Sequence, residues 1–267
     1  MVSATLSLHA VETAQLSQIH QLEMTTPEMQ RIYFVRHGES EMNQLKVSRK
    51  GAGETLFIGG QNPATKLTSK GKEQAIALGN MLRERFSKEE RISILSSATE
   101  RTKETAGLIF GQLKKQDLLV ENMGPPYKGL NEISRGRQEG QLQTKEYQEA
   151  EAHWEKGLSA REKFFTSMLP YDDQAESHKQ VVDRALIDLQ TIIHDHPNET
   201  LVIACHKVAL KSLGLFWSKQ TDELSEEPGS PLPQLDLKNC DMLMVEIPPN
   251  TSIQDAQVKM LIRSEVF

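Results

Sequence analysis

The chain has 267 residues, of which 37% are hydrophobic and 25% are charged. This supplies enough apolar material for one large α/β domain, or for one domain with an appendage. The formal net charge of -6 argues against a general nucleic-acid-binding surface. The two cysteines, Cys205 and Cys240, argue against a disulfide-stabilised scaffold and favour a reducing compartment.

The sequence also gives expectations about location. No apolar run approaches the length of a membrane-spanning helix, about 20 residues. The first residues lack a basic region followed by an apolar core, so we expect no secretory signal and a cytoplasmic protein. A signal-independent secretion route would also be compatible with this sequence.

Residues 1–30 are predicted to be an N-terminal extension, with a helical stretch at 6–24 that ends before Pro27. Residues 31–267 are predicted to form a single domain. Short apolar runs rich in β-branched residues predict strands at 32–35, 92–95, 201–205, 242–247 and 258–262.

Helical spacing of apolar residues predicts helices at 68–86, 100–113 and 177–196. Two stretches, 47–61 and 221–235, have the composition of loops. Strands that alternate with helices predict an α/β three-layer sandwich. In this fold a mostly parallel central sheet is covered by helices on both faces.

Polar residues follow three of the predicted strands where each strand ends, namely Arg36-His37, Ser96-Ser97 and His206. The carboxyl ends of the strands hold the ligand in such sheets, so we expect these side chains to surround a binding site. Arginine offers bidentate donors to a phosphate, and a neutral imidazole nitrogen can attack phosphorus. The strand ends therefore favour phosphoryl chemistry, and Gly38 would let a ligand approach the backbone closely.

An ordered set of motifs runs along the chain. It consists of Arg36-His37-Gly38-Glu39-Ser40 with Asn43, Ile58-Gly59-Gly60, Leu67-Thr68-Ser69-Lys70-Gly71, Ser97-Ala98-Thr99-Glu100-Arg101-Thr102 with Thr105, Leu130-Asn131-Glu132-Ile133, and Leu201-Val202-Ile203-Ala204-Cys205-His206. With this set the chain resembles the histidine phosphatase superfamily, the group that includes cofactor-dependent phosphoglycerate mutase. Within that group it is most similar to the bisphosphatase domain of the bifunctional enzyme that controls fructose 2,6-bisphosphate.

The resemblance implies a role for each residue of the reaction centre. His37 would be the nucleophile that forms a phosphohistidine, and Arg36 and Arg101 would clamp the transferred phosphoryl group. His206 would hydrogen-bond the phosphoryl oxygens. Glu132 would protonate the leaving alcohol and then accept a proton from water, which requires a carboxyl group that is readily protonated near neutral pH. Taken alone, any one of these residues could instead be structural.

The resemblance also implies contacts to the rest of the substrate. Asn43 and the backbone at Gly59 match substrate-binding positions, although either could serve only the local turn. Lys207 and Lys211 are four residues apart, and on a helix they could hold a second anion or simply form a solvated basic face. Arg161 and Lys163 fall near the positions at which the bisphosphatase branch has a basic pair that grips the sugar phosphate, but the spacing differs.

Three hypotheses about function follow. The first is a phosphatase that needs no metal ion or cofactor and acts on a small sugar phosphate or bisphosphate, with fructose 2,6-bisphosphate as the leading guess. The second is phosphoryl transfer of the phosphoglycerate mutase type. The third is a scaffold that acts on a phosphoprotein or binds a protein partner. No Walker-type phosphate-binding run occurs, so the kinase half of the bifunctional enzyme is not predicted here.

Overall fold

The structure is a computed structural model that describes residues 29–115, 118–120, 123–233 and 235–264. The predicted extension, including its helical stretch, lies outside these residues except for its last two positions. Within them, five strands form one sheet in the order β2–β3–β1–β4–β5. The strands are β1 Gln30–Arg36, β2 Ile92–Ser96, β3 Thr200–Cys205, β4 Met242–Ile247 and β5 Gln257–Ile262.

The sheet is mixed. Strands β2, β3 and β1 pair in parallel, whereas β4 is antiparallel to β1 and to β5. The predicted sandwich is confirmed, but its parallel part covers only the side that contains β1, β3 and β2. The connection between β4 and β5, residues 248–256, is shorter than the dozen or so residues that a parallel crossover needs, so these two strands form a hairpin-like pair.

Seven α-helices flank the sheet in the described part of the chain. They are α1 Glu41–Gly51, α2 Ser69–Arg83, α3 Glu100–Lys114, α4 Lys145–Gly157, α5 Ala160–Phe165, α6 His178–Asp195 and α7 Lys207–Trp217. The predictions at 68–86, 100–113 and 177–196 correspond to α2, α3 and α6. Residues 221–233 contain no helix or strand, in agreement with the predicted loop.

The alternation of side chains along β1 separates two apolar layers. Ile32 and Phe34 are buried in a cluster with α6 and α7 on one face of the sheet. Tyr33 and Val35 are buried on the opposite face in a cluster with α2 and α3. Because both faces are covered, the ends of the strands are the places where polar side chains can meet a ligand.

The predicted loop at 47–61 begins too early, because α1 continues to Gly51. Ser40 and Asn43 form a reciprocal capping box at its start, with the side chain of each accepting the backbone N–H of the other. None of the residues in α1 is buried. The helix therefore lacks the apolar periodicity by which a sequence would reveal it.

Candidate active site

The ends of the three parallel strands bring the predicted reaction centre together. His37 follows β1 and its backbone N–H donates to Cys205 O at 3.0 Å. Ser97 follows β2 and donates in the same way to Ala204 O at 3.0 Å. The rings of His37 and His206 lie 5.4 Å apart between centroids. Residues far apart in sequence thus meet at one edge of the sheet.

The hydrogen bond of His37 fixes its tautomer. Its Nδ1 lies 2.7 Å from the carbonyl oxygen of Gly38. A carbonyl can only accept, so Nδ1 carries the proton and Nε2 retains a lone pair. Burial, followed by the charges of Arg101 and Arg36, holds the pKa of His37 well below its ordinary value. The imidazole is therefore neutral at physiological pH, the state that a nucleophile requires.

A loop that precedes β4 holds the backbone around the candidate nucleophile. Asn239 Nδ2 donates to His37 O at 2.9 Å. Cys240 N donates to Arg36 O at 2.9 Å, and Arg36 N donates to Asp241 O at 3.0 Å. The strand end is thus tied on both sides, and the ring of His37 is held by packing as well as by its own hydrogen bond.

Gly38 has a different use from the one we predicted. A Cβ atom at Gly38 would lie 2.3 Å from Gly71 O, and one at Gly71 would lie 2.0 Å from Glu39 O. The two glycines therefore permit close packing of one backbone segment on another. The sequence suggested close approach of a ligand, but the neighbour is the start of α2.

Arg36 lines the cavity beside His37 and retains an unused donor. Its Nη1 donates to Leu237 O at 2.6 Å, while its Nε is buried without a hydrogen-bond partner. A buried donor left in this state costs about 1–3 kcal/mol. Burial lowers the pKa of Arg36 and the nearby Glu132 partly opposes this, yet the guanidinium stays charged.

Arg101 lies in the first turn of α3 and is buried. Its Nη1 donates to Asn62 O at 2.8 Å and its Nη2 to Gly60 O at 3.0 Å. The acids that might have neutralised it are engaged elsewhere, since Glu100 pairs with Lys103, and Glu104 accepts the backbone N–H of Leu67. Arg101 thus lines the cavity without an acidic partner among the described residues, and its role as a phosphoryl clamp stays a prediction.

Both nitrogens of His206 have partners. Nδ1 lies 3.2 Å from Arg101 Nη2, which can only donate, so Nδ1 accepts and Nε2 carries the proton. Nε2 then donates to Ser97 Oγ at 2.7 Å, and Ser97 Oγ in turn contacts Thr102 Oγ1 at 2.8 Å. In this state His206 supports Arg101. Its ring does not line the cavity, so a direct contact with the phosphoryl oxygens stays a prediction.

Glu132 lies at the N-terminus of α7. Its carboxylate accepts the backbone N–H groups of Val208 and Ala209 at 3.2 and 3.1 Å, and that of Ile133 at 2.9 Å. The side chain of His206, the N-cap residue, makes no capping hydrogen bond, so Glu132 supplies the cap. The carboxyl group lines the same cavity as His37, on the wall formed by α7.

Arg184 of α6 fixes the loop that carries Glu132. Its guanidinium donates to Gly129 O, Asn131 O and Glu132 O at 2.6, 3.0 and 2.9 Å. It also forms an ion pair with Glu176 at 2.7 Å. One guanidinium group thus donates to three of the four carbonyl groups of residues 129–132, and these hydrogen bonds restrain the loop that carries Glu132.

The cavity above these residues has a volume of about 320 Å³. Four residues of the predicted reaction centre line it, Arg36, His37, Arg101 and Glu132, whereas His206 is fully buried and does not. The other walls are formed by one face of α1, by residues 56–62, by residues around Arg135, and by α4. Asn43 and Gly59 both line it, so the structure brings these predicted contacts next to His37. Asn43 also completes the cap of α1, which is the alternative role that we considered.

The remaining predicted substrate contacts are distributed differently. Lys207 lines the cavity and pairs with Asp236 at 3.5 Å. Lys211 and Arg161 do not line it, contrary to the prediction. Lys211 lies one turn further along α7, away from the strand ends, and Arg161 packs over the Phe165 ring at 5.6 Å on α5.

Sequence reasoning missed two cavity cations, Lys46 and Arg135. Lys46 lies three residues after Asn43 and four after Met42, and all three line the cavity. This helical spacing could have indicated that Lys46 shares a face with Asn43. The inference would have required knowing that a helix covers residues 41–51. Arg135 is three residues after Glu132 and could have been found only from the path of the loop.

Residues 32–250 match the family model of the histidine phosphatase superfamily, branch 1. The chain belongs to the histidine phosphatase superfamily. The predicted family is therefore confirmed, and with it the prediction of a phosphatase-type enzyme at the level of the family. A comparison with curated protein sequences finds no match.

Solved structures of this superfamily share the fold. A mycobacterial glucosyl-3-phosphoglycerate phosphatase is 19% identical, with a TM-score of 0.60 over 88% of this chain and 97% of that one. A phosphoglycerate mutase from Bacillus anthracis is 17% identical, with a TM-score of 0.58 over 90% and 95%. Phosphoserine phosphatase from Entamoeba histolytica, in complex with 3-phosphoglyceric acid, is 18% identical, with a TM-score of 0.56 over 89% and 98%. At these identities the likeness establishes the fold alone.

Among the residues that the structure describes, no helix combines the length and the apolar character needed to cross a membrane.

Proposed function

We propose that the protein hydrolyses phosphomonoesters through a phosphohistidine formed on His37. The observation that carries this proposal is the state of His37: neutral, buried, with Nδ1–H bound to Gly38 O and a lone pair on Nε2. Two arginines flank it, and one of them retains a buried unpaired donor. This combination suits an attack on a phosphoryl group whose developing negative charge needs fixed donors.

The reaction takes place in two steps. In the first, His37 Nε2 attacks phosphorus, an N–P bond forms, the ester P–O bond breaks, and the carboxyl group of Glu132 gives its proton to the leaving oxygen. In the second, the Glu132 carboxylate removes a proton from water, the water oxygen bonds to phosphorus, and the N–P bond breaks. The products are the alcohol and inorganic phosphate, and both side chains return to their starting states.

The proposed mechanism needs no metal ion, because Arg36 and Arg101 supply the positive charge that the phosphoryl oxygens require. Turnover should therefore persist after dialysis against EDTA. Loss of activity that only a divalent cation restores would contradict this part of the proposal.

We propose a small phosphorylated metabolite as the substrate. A cavity of about 320 Å³ is at the small end of the range for ligand pockets, about 300–1,000 Å³. The sequence resemblance favours a sugar phosphate or bisphosphate, with fructose 2,6-bisphosphate first in the panel to be tested. The structural neighbours include phosphatases whose names specify phosphoserine and a glucosylated phosphoglycerate, so these compounds belong in the same panel.

The test is phosphate release from this panel by wild type, His37→Ala and His194→Ala. His194 is an exposed histidine of α6 and serves as the matched control. We expect His37→Ala to lose turnover by about four orders of magnitude or more, and His194→Ala to retain it. Brief exposure to a radiolabelled phosphate ester, followed by quenching, should give an acid-labile, base-stable label in wild type and in His194→Ala only. Near-normal turnover of His37→Ala would overturn the proposal.

The same protein samples distinguish hydrolysis from the alternatives. A coupled mutase assay primed with bisphosphoglycerate would show whether the phosphoryl group is returned to a second acceptor. Slow turnover of every small ester, together with dephosphorylation of a phosphoprotein, would favour the third hypothesis instead.

A further inference from the structure

We infer that Lys46 and Arg135 form a second anion-binding subsite in the cavity, which takes a carboxylate or a second phosphate of the substrate. The inference rests on the proposed function, since it concerns the part of the substrate that is not transferred. It departs from the expectation that Lys207 and Lys211 would hold this second anion.

Lys46 is directed into the cavity and has no counterion. It lies on the face of α1 that also presents Asn43. A Cβ atom at Gly59 would lie only 2.5 Å from Lys46 Nζ, so the ammonium group lies directly against the loop that precedes Asn62. No hydrogen bond or ion pair joins this ammonium group to another described residue. Burial, and then the charge of Arg135, lower the pKa of Lys46, while the carboxylates of Glu132 and Glu151 partly oppose this.

Arg135 faces the same space from the opposite wall. Glu139 accepts its backbone N–H at 2.8 Å, which fixes the start of the side chain. The guanidinium itself donates only to Met168 Sδ, at 3.7 Å, and thioether sulfur is a weak acceptor. Within the described chain Arg135 forms no ion pair. Neither side chain forms an ion pair with a described residue, and two like charges that influence each other are disfavoured unless an anion joins them.

The charges of the cavity wall point the same way. Five cationic side chains line it, Arg36, Lys46, Arg101, Arg135 and Lys207, against two carboxylates, Glu132 and Glu151. Lys207 is paired with Asp236, and the other four cations exceed the two carboxylates by two. Arg36 and Arg101 flank His37 and serve the transferred phosphoryl group, so Lys46 and Arg135 are the cations left for a further anionic group.

Lys207 and Lys211 are less suited to this role. The Lys207 ammonium already has Asp236 at 3.5 Å, and its side chain is 45% exposed, where solvent screening weakens its attraction for an anion. Lys211 does not line the cavity. Lys46 and Arg135, in contrast, have their charged groups against the cavity and lack a counterion.

A matched pair of probes tests this inference. 3-Phosphoglycerate and glycerol 3-phosphate share one phosphate ester, and they differ in a carboxylate in place of a hydroxymethyl group. Their dissociation constants would be measured by calorimetry on the full-length His37→Ala protein, so that neither probe is consumed. We expect this protein to bind 3-phosphoglycerate at least roughly tenfold more tightly, the effect of one or two hydrogen bonds to a charged group.

Adding Lys46→Met or Arg135→Met to this background should bring the ratio of the two constants close to one. The control variants are Lys50→Met, which removes an exposed lysine of α1, and Arg137→Met, which removes an exposed arginine two residues after Arg135. Both controls should retain the preference. Thermal unfolding of each variant shows whether the fold is kept.

The outcomes separate this inference from the proposed function. No preference in the parent protein, or a preference that survives both Lys46→Met and Arg135→Met, overturns the subsite even if wild type is an active phosphatase. A preference lost in those variants supports the subsite, even if no phosphohistidine is trapped and hydrolysis is abandoned. Failure of 3-phosphoglycerate to bind would overturn the subsite, while the trapping of a phosphohistidine would still decide the proposed function.

Discussion

The two walls of the cavity are built differently. On the phosphoryl side, His37 and Arg101 line the cavity and are almost completely buried, and their polar atoms bind backbone groups or, for Arg101, the ring of His206 behind the wall. On the substrate side, the charged groups of Lys46 and Arg135 have almost no protein partners. The first wall is preorganised for the phosphoryl group, because stabilising the transition state of phosphoryl transfer requires donors in fixed positions. The second offers charge without fixed geometry, which suits recognition of a variable substrate body.

After the loss of the nucleophile in His37→Ala, Glu132→Gln should have the largest effect. At the position of Oε1 the amide oxygen can still accept the N–H groups of Ala209 and Ile133, whereas the N–H of Val208, which faces Oε2, loses its acceptor. Helix α7 therefore keeps part of its cap. The proton transfers are lost, and we expect kcat to fall by about 10²–10⁴-fold. Steady-state hydrolysis of an alkyl phosphate measures this. Glu149→Gln, in an exposed position of α4, is the control.

The same variant should behave differently with p-nitrophenyl phosphate, whose leaving group needs no proton. The first step should remain fast and the second slow, so one equivalent of nitrophenol should appear in a burst while phosphohistidine accumulates. Equal loss of both steps, or a change in kcat of less than about threefold on alkyl phosphates, would contradict the role given to Glu132.

Arg184→Met should have the next largest effect, because the phosphoryl wall depends on a rigid loop. The change removes three hydrogen bonds to carbonyl groups and leaves Glu176, whose side chain is 19% exposed, without its ion-pair partner. We expect a loss of about 2–3 kcal/mol in the free energy of unfolding and about a tenfold fall in kcat. Denaturant unfolding and phosphatase assays measure the two effects.

Lys179→Met, a change at an exposed residue of the same helix, should alter the free energy of unfolding by less than about 0.5 kcal/mol. A stable Arg184→Met protein with normal kcat would show that the loop keeps its conformation without this guanidinium.

The buried histidines predict a pH dependence of stability. Burial lowers the pKa of His178 to about 3, and burial together with arginine charge lowers the pKa values of His37 and His206. In each case the unfolded chain binds the proton more readily. Stability is therefore complete above about pH 6.5, and below that each histidine removes about 1.4 kcal/mol per pH unit.

His178 provides the test because it lies outside the cavity, between the rings of Trp154 and Phe164. Replacing it by Gln should make the dependence of the unfolding free energy on pH shallower by about one proton between roughly pH 6 and 4. His194→Gln, at an exposed position, should leave the slope unchanged. An unchanged slope in His178→Gln would mean that this imidazole is charged in the folded protein.

The phosphoryl wall could be predicted from the sequence, and the reason is topological. Its residues follow apolar strands, and parallel strands place their carboxyl ends at one edge of the sheet. The register of β1, β2 and β3 then brings Arg36, His37, Ser97 and His206 together. The alternation of strands and helices predicted the sandwich itself. The antiparallel pairing of β4 with β5 has a different cause, the short connection at residues 248–256.

The substrate wall could not be predicted in the same way. Helix α1, which carries Lys46, has no buried residue and hence no apolar period. The position of Arg135 depends on a loop fixed by Arg184, about 50 residues later in the sequence. Lys211 illustrates the opposite error. Spacing of four residues places it on the same helix face as Lys207, but the cavity ends within one turn of the strand end.

Lys207→Met should have the smallest effect. It decides whether the second anion of the substrate binds at Lys207 or at Lys46 and Arg135. Its ammonium is paired with Asp236 at 3.5 Å and is 45% exposed, so an anion gains little from it. We expect KM for a substrate with two anionic groups to rise about threefold, with kcat unchanged, because exposed ion pairs contribute less than about 1 kcal/mol. Lys46→Met should raise the same KM considerably more. If Lys207→Met were the more damaging of the two, the second anion would lie at the start of α7 and the subsite at Lys46 and Arg135 would be wrong.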